Sequence, residues 1–154
     1  MNKKKYVAYV GTYVHGSSKG LNVYDVDVEN GILTPRNEVE VSNSSYVSVS
    51  RNLKYLYSIE DDGVAVFKRD GNGDLERLNS VDIEGMRGCF LSTDYSGNYL
   101  FVGGYHDGKV TLVEILPDGR LGKVLDGVFH RGLGSVAERN FRPHISCTRR
   151  TPDG

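Results

Sequence analysis

Residues 89–122 read CFLSTDYSGNYLFVGGYHDGKVTLVEILPDGRLG. Three short runs rich in β-branched and aromatic residues are separated by Tyr95-Ser96-Gly97-Asn98, by a Gly-rich stretch from Gly103 to Gly108, and by Pro117-Asp118-Gly119-Arg120. β-formers bounded by such turn residues predict antiparallel strands joined by tight reversals. The pattern recurs along the chain. Tyr55-Leu56-Tyr57 matches Tyr99-Leu100-Phe101 at an offset of 44, and Val64-Ala65-Val66-Phe67 matches Val110-Thr111-Leu112-Val113 at 46. Asp74-Leu75 matches Arg120-Leu121 at the same 46, and Tyr9-Val10-Gly11-Thr12-Tyr13 matches Phe101-Val102-Gly103-Gly104-Tyr105 at 92.

A period in the mid-forties with four strand-like segments per unit is the signature of a β-propeller blade. With the strands of a unit labelled a to d, one full unit runs 46–50, 54–59, 63–68 and 75–82, and the next runs 89–93, 98–103, 109–115 and 121–128. The first unit lacks strand a, with b at 6–12, c at 20–27 and d at 32–41, and the last shows only a strand a at 144–148. The expected fold is therefore all-β: one β-propeller domain with blades over 6–41, 46–82 and 89–128 and another starting at 144. About three blades and a fragment of a fourth do not close a ring. The chain is expected to be the N-terminal part of a longer protein, inactive and aggregation-prone by itself, with the remaining blades missing.

Composition narrows the partners. The 154 residues carry 19 Lys plus Arg against 20 Asp plus Glu, which removes the electrostatic case for nucleic acid or an anionic membrane. No stretch reaches the length of a membrane span, and the apolar run behind Lys3-Lys4-Lys5 ends at Gly11, too short for a signal peptide. Cys89 and Cys147 fall inside expected strands without metal-ligand spacing, so they are read as buried thiols of a cytoplasmic protein.

Antiparallel alternation puts the a–b and c–d turns at one end of a propeller and the b–c and d–a connections at the other. The first set is short and turn-like. The second is longer, above all 129–143: the step from Ser50 to Asp94 is 44 residues, but from Asp94 to Thr151 it is 57. Long insertions on a rigid scaffold are usually functional or mobile. All four histidines fall at this end: His15 and His106 in b–c loops, His130 in the insertion and His144 where it rejoins the sheet. Arg131, Glu138, Arg139 and Arg142 lie in the same insertion. Imidazoles and guanidiniums converging at one mouth suit an anionic small molecule. Asp70-x-Asn72-x-Asp74 imitates the start of a calcium loop, but Leu75 and Val81 stand where glycine and glutamate are needed, so it reads as a c–d turn.

Tyr9-Val10-Gly11-Thr12-Tyr13 with Lys19-Gly20, Tyr55-Leu56-Tyr57, Tyr99-Leu100-Phe101, Tyr105-His106 with Gly108, Asp118-Gly119-Arg120-Leu121-Gly122 and Pro143-His144 together resemble the lactonase family of seven-bladed β-propellers. Its bacterial members include 6-phosphogluconolactonases, and the fungal carboxy-muconate cyclase is a relative. The resemblance implies a lactone hydrolase of carbohydrate metabolism, in the pentose phosphate pathway, using no cofactor and no obligatory metal. The expected partner is a small anionic sugar lactone. Carried over as catalytic are His106, His144 and Arg139, with Arg142, His130, Glu138 and Tyr105 binding substrate; His106 and His144 stay open as alternatives for the base. The chain departs from the family where Ser146 replaces the second histidine of Pro-His-x-His, and where Asn140-Phe141 follows Arg139. Two other readings remain: a lactonase or lactonizing enzyme for another organic acid such as a muconate, and a non-catalytic binding platform.

Overall fold

The computed structural model describes residues 5–135, 140 and 142–153. These form eleven strands in three antiparallel sheets, in chain order. The first sheet holds β1 (Tyr6–Gly11), β2 (Gly20–Asp27) and β3 (Ile32–Glu40). The second holds β4 (Val47–Val49), β5 (Tyr55–Glu60), β6 (Gly63–Arg69) and β7 (Leu75–Asp82). The third holds β8 (Phe90–Thr93), β9 (Tyr99–Gly103), β10 (Lys109–Ile115) and β11 (Leu121–Phe129). Each is a meander in which neighbours in sequence are neighbours in the sheet. In all three, the register between the third and fourth strands of the repeat slips at one equivalent place: at Val23/Tyr24, Val66/Phe67 and Leu112/Val113. A bulge there raises the local twist of each outer strand.

The sheets stack face to face, and the middle one explains its own sequence. Leu56, Ala65 and Phe67 pack with Leu21 and Val41 of the first sheet. Tyr57, Ile59, Val64 and Val66 pack with Leu91, Leu100, Val102 and Val113 of the third. Alternate residues of β5 and β6 thus face opposite neighbours, and Val64 to Phe67 of β6 read as a continuous apolar run because both faces are buried.

Polar contacts set the spacing of the sheets. Tyr9 on β1 donates to the carbonyl of Gly73 at 2.5 Å, and Tyr55 on β5 donates to the carbonyl of Asp118 at 2.9 Å. Each carbonyl belongs to the turn before the last strand of the next sheet. Asn79 on β7 donates to the carbonyl of Leu121 at 2.8 Å and accepts from its N–H at 3.0 Å. In the calcium-like turn, Asp70 accepts from the N–H groups of Asn72 and Asp74 at 2.9 and 2.8 Å, so its carboxylate closes a loop, and these bonds lower its pKa.

Two expectations are corrected. Residues 144–148 form no strand; isolated bonds tie them to the third sheet and its loop, among them one from the Ser92 hydroxyl to the Thr148 carbonyl at 2.7 Å and one from Ile145 N–H to the Gly104 carbonyl at 3.4 Å. Strand geometry needs a continuous ladder, and no described residue supplies one. The cysteines are not a buried pair either: Cys89 is half-buried just before β8, and Cys147 is exposed. No described helix is long and apolar enough to cross a membrane.

Gly119 has φ +85°, and a Cβ on it would overlap the Tyr55 ring, whereas Gly31, with φ +66°, has open space around it. Gly119→Ala is expected to cost about 2–4 kcal/mol, backbone strain plus displacement of the ring, against about 1–2 for Gly31→Ala, which carries strain alone. Denaturant midpoints of the two variants check the difference. Burial also pushes the Tyr57 phenol up to about 12, with Tyr55 and Asp94 acting in the same direction. Between pH ~10 and that value the unfolded chain has lost this proton while the folded chain keeps it. Its stabilising effect is therefore complete below pH ~10 and declines as pH rises toward 12. Alkaline unfolding should be less steep in Tyr57→Phe.

Candidate active site

The loop between β9 and β10, residues 104–108, is built from glycines because other chain must come close to it. Gly108 has φ +66°, and a Cβ there would lie 2.7 Å from the carbonyl oxygen of Pro143. A Cβ on Gly104 would overlap the Asp107 carboxylate. With side chains absent, the two glycine carbonyls hold both ends of the long insertion. The carbonyl of Gly108 accepts from His130 N–H at 2.9 Å, and that of Gly104 accepts from Ile145 N–H. The thiol of Cys89 adds a bond to the Ile145 carbonyl at 3.2 Å; burial raises its pKa, so it serves here as a thiol donor.

This docking brings Tyr105, His106 and His144 together. The His144 ring stacks on that of Tyr105, with centroids 4.3 Å apart and planes 12° apart, and His106 meets the same tyrosine edge-on at 5.6 Å and 87°. Nδ1 of His144 lies 2.5 Å from the backbone carbonyl oxygen of Tyr105. A carbonyl only accepts, so Nδ1 carries the proton and the neutral ring keeps its lone pair on Nε2.

The other expected residues divide. Arg142 is exposed and lines a shallow hollow of about 440 Å³ together with Leu133, Ser135, Asn140 and Pro143. His130 joins the loop through its backbone and is itself exposed. His15 sits on the first sheet beside Tyr13, ring centroids 6.4 Å apart. Glu138 and Arg139 lie outside the described residues. Among the described residues no group of three or more His, Cys, Asp or Glu is placed to hold a metal ion. A larger hollow, about 820 Å³, opens at the turn end, where Asp25, Asp27, Glu29 and Asp74 outnumber the cations Lys5 and Arg36. Arg36 in its wall is already paired with Asp25 and Asp74, and it holds the Asp25 carboxyl below its usual range. An acidic lining of that kind repels anions.

The amino-acid sequence matches the family described as "Lactonase, 7-bladed beta-propeller" over residues 7–154. The chain belongs to this lactonase family. It is 35% identical over 155 residues to a 6-phosphogluconolactonase of Bacillus subtilis, and that similarity covers 97% of this chain and 44% of the relative. A 6-phosphogluconolactonase of Formosa agariphila is 30% identical over 146 residues, covering 89% and 41%. A crystal structure from Bacteroides fragilis superposes with a TM-score of 0.91 at 33% identity, covering 99% of this chain and 44% of that one. The structure of a Pseudomonas aeruginosa periplasmic gluconolactonase gives a TM-score of 0.81 at 26% identity, covering 88% and 41%. This lactonase-family chain thus spans less than half the length of these relatives.

Two residues of the mouth escape sequence reading. Lys109 opens β10 and is 7% exposed. Its ammonium donates to the carbonyls of Ile83 and Glu84 at 2.8 and 2.9 Å, beneath the Phe129 ring. Beside it, Asp107 accepts from Lys109 N–H at 3.1 Å and from Met86 N–H at 2.9 Å. Together they fasten the connection between the second and third sheets to the Tyr105 loop. The available signal was alternation, which sets Lys109 on the inward side of β10 with Thr111, Val113 and Ile115. The second residue, Arg87, lies in that connection and has no motif around it.

Proposed function

We propose that the full-length protein hydrolyses 6-phosphogluconolactone to 6-phosphogluconate, with His144 as the general base. The observation that carries the assignment is the bond between His144 Nδ1 and the Tyr105 carbonyl, which leaves the basic lone pair on Nε2. His106 meets the same tyrosine ring edge-on and supports the aromatic wall.

In this reading Nε2 takes a proton from water as the oxygen attacks the lactone carbonyl. The carbonyl oxygen becomes an oxyanion, which Arg139 stabilises from the insertion. Collapse breaks the ring C–O bond, and the departing alkoxide regains the proton from His144. Arg142, with its fixed positive charge, attracts the phosphate, while Tyr105 and His130 complete the walls. The names of the Bacillus and Formosa relatives support the phosphorylated substrate. A phosphorylated sugar also suits a cytoplasmic enzyme of the pentose phosphate pathway. The Pseudomonas relative, named as a periplasmic gluconolactonase, favours a second reading in which the lactone lacks phosphate. Rates on the two lactones separate them.

Removing a positioned general base costs about 10²–10⁴-fold in rate. His144→Gln in the full-length protein is expected to lower kcat on 6-phosphogluconolactone by that order, and His106→Gln by less than roughly tenfold. Near-wild-type turnover by His144→Gln overturns the assignment of the base.

A further inference from the structure

The repeat places one more charged residue at this mouth. The steps of 44 residues from Ser50 to Asp94 and 57 from Asp94 to Thr151 put Asn43, Arg87 and His144 at one position of the repeat, which for Asn43 and Arg87 is just ahead of the first strand of a sheet. In a propeller that strand is the one nearest the axis. The connection carrying Arg87 is also tied to the Tyr105 loop, through the bond from Met86 N–H to Asp107.

Arg87 is held rather than loose. Its NH1 lies 3.0 Å from Oδ1 of Asp61, and its guanidinium carbon lies 4.8 Å from the centroid of the Tyr13 ring. Asp61 is shared: the Asn43 amide donates to both its oxygens, at 2.9 and 3.0 Å, while accepting from Val14 N–H at 2.8 Å. Part of the carboxylate charge is thereby met by Asn43. A clasp between loops is the plain explanation of such a pair. Yet the Arg87 side chain is 27% exposed and that of Asp61 42%, and a solvated pair of this kind contributes little to stability. One N–H of the guanidinium engages Asp61, whereas the group has five donors in a planar fork that matches phosphate.

We infer that Arg87 is a specificity residue of this site, binding the phosphate of the substrate from the connection next to the His144 loop. The inference rests on the lactonase reading above. It differs from the clasp in what the partner residue does. In a clasp, Arg87 and Asp61 are equivalent, and losing either has the same effect. In a phosphate site they oppose each other, because Asp61 holds the guanidinium but repels the ligand.

Calorimetric titration of the full-length protein with 6-phosphogluconate and with gluconate distinguishes the two. Arg87→Gln is expected to weaken 6-phosphogluconate binding roughly tenfold or more, the size of a lost charge-assisted bond, and to leave gluconate unchanged. Arg87→Lys should recover part of the loss and carries the same test if the glutamine variant does not fold. Asp61→Asn should bind 6-phosphogluconate as tightly as wild type or tighter. Equal weakening by Arg87→Gln and Asp61→Asn, no effect of Arg87→Gln, or a wild type that does not prefer 6-phosphogluconate over gluconate overturns the inference. Lactone turnover by the wild type is scored separately: its absence overturns the proposed hydrolysis, whereas the binding comparison alone decides Arg87.

Discussion

The close approach of a glycine turn to strand b of the preceding repeat is the contact on which the rest depends. Gly119 lies against the Tyr55 ring and Gly73 against Val7 and the Tyr9 hydroxyl, and each tyrosine closes the contact with a hydrogen bond to a turn carbonyl. The same contact made twice gives the same rotation from sheet to sheet. Each sheet then buries alternate residues against its two neighbours, and all like connections gather at the same end. A sandwich of equally apolar sheets would not gather its loops in this way.

At the loop end the same economy of side chains recurs with a different result. Gly104 and Gly108 bring the backbone of one loop near that of a distant insertion, and their carbonyls hold its two ends. His144 arrives against Tyr105 with one ring nitrogen committed to a carbonyl. Beneath it, buried Lys109 and half-buried Asp107 join two loops through backbone groups, so the wall of the site is fixed from behind. The mouth carries the exposed Arg142 and the half-exposed Arg87. The supporting side is buried and bonded to backbone.

The repeat was legible because turn chemistry and strand composition are local properties. The strand over 109–115 was read to the residue, as were those over 20–27 and 75–82, since glycine turns bound them on one or both sides. The expected strand over 144–148 failed because a strand is a pairing, and composition cannot say whether a partner is present. Cys147 was misread for the same reason. His106 and His144 stood out as candidates through Gly-rich and Pro-His contexts, which are local. Lys109 and Arg87 were not, because their significance lies in contacts with Ile83, Glu84, Tyr13 and Asp61, which only the stacked sheets bring near. The contact of His144 Nδ1 with the Tyr105 carbonyl was likewise invisible in the sequence.

The central claim is that the fold delivers His144 to the mouth as the Nδ1–H tautomer. Nitrogen-15 NMR of the histidine-labelled full-length protein, at a pH where the ring is neutral, tests it directly, with His144→Gln providing the assignment. The account predicts a protonated Nδ1 and an unprotonated Nε2. A neutral His144 protonated on Nε2 would contradict it, because Nδ1 could then not donate to the Tyr105 carbonyl and Nε2 could not take a proton from water.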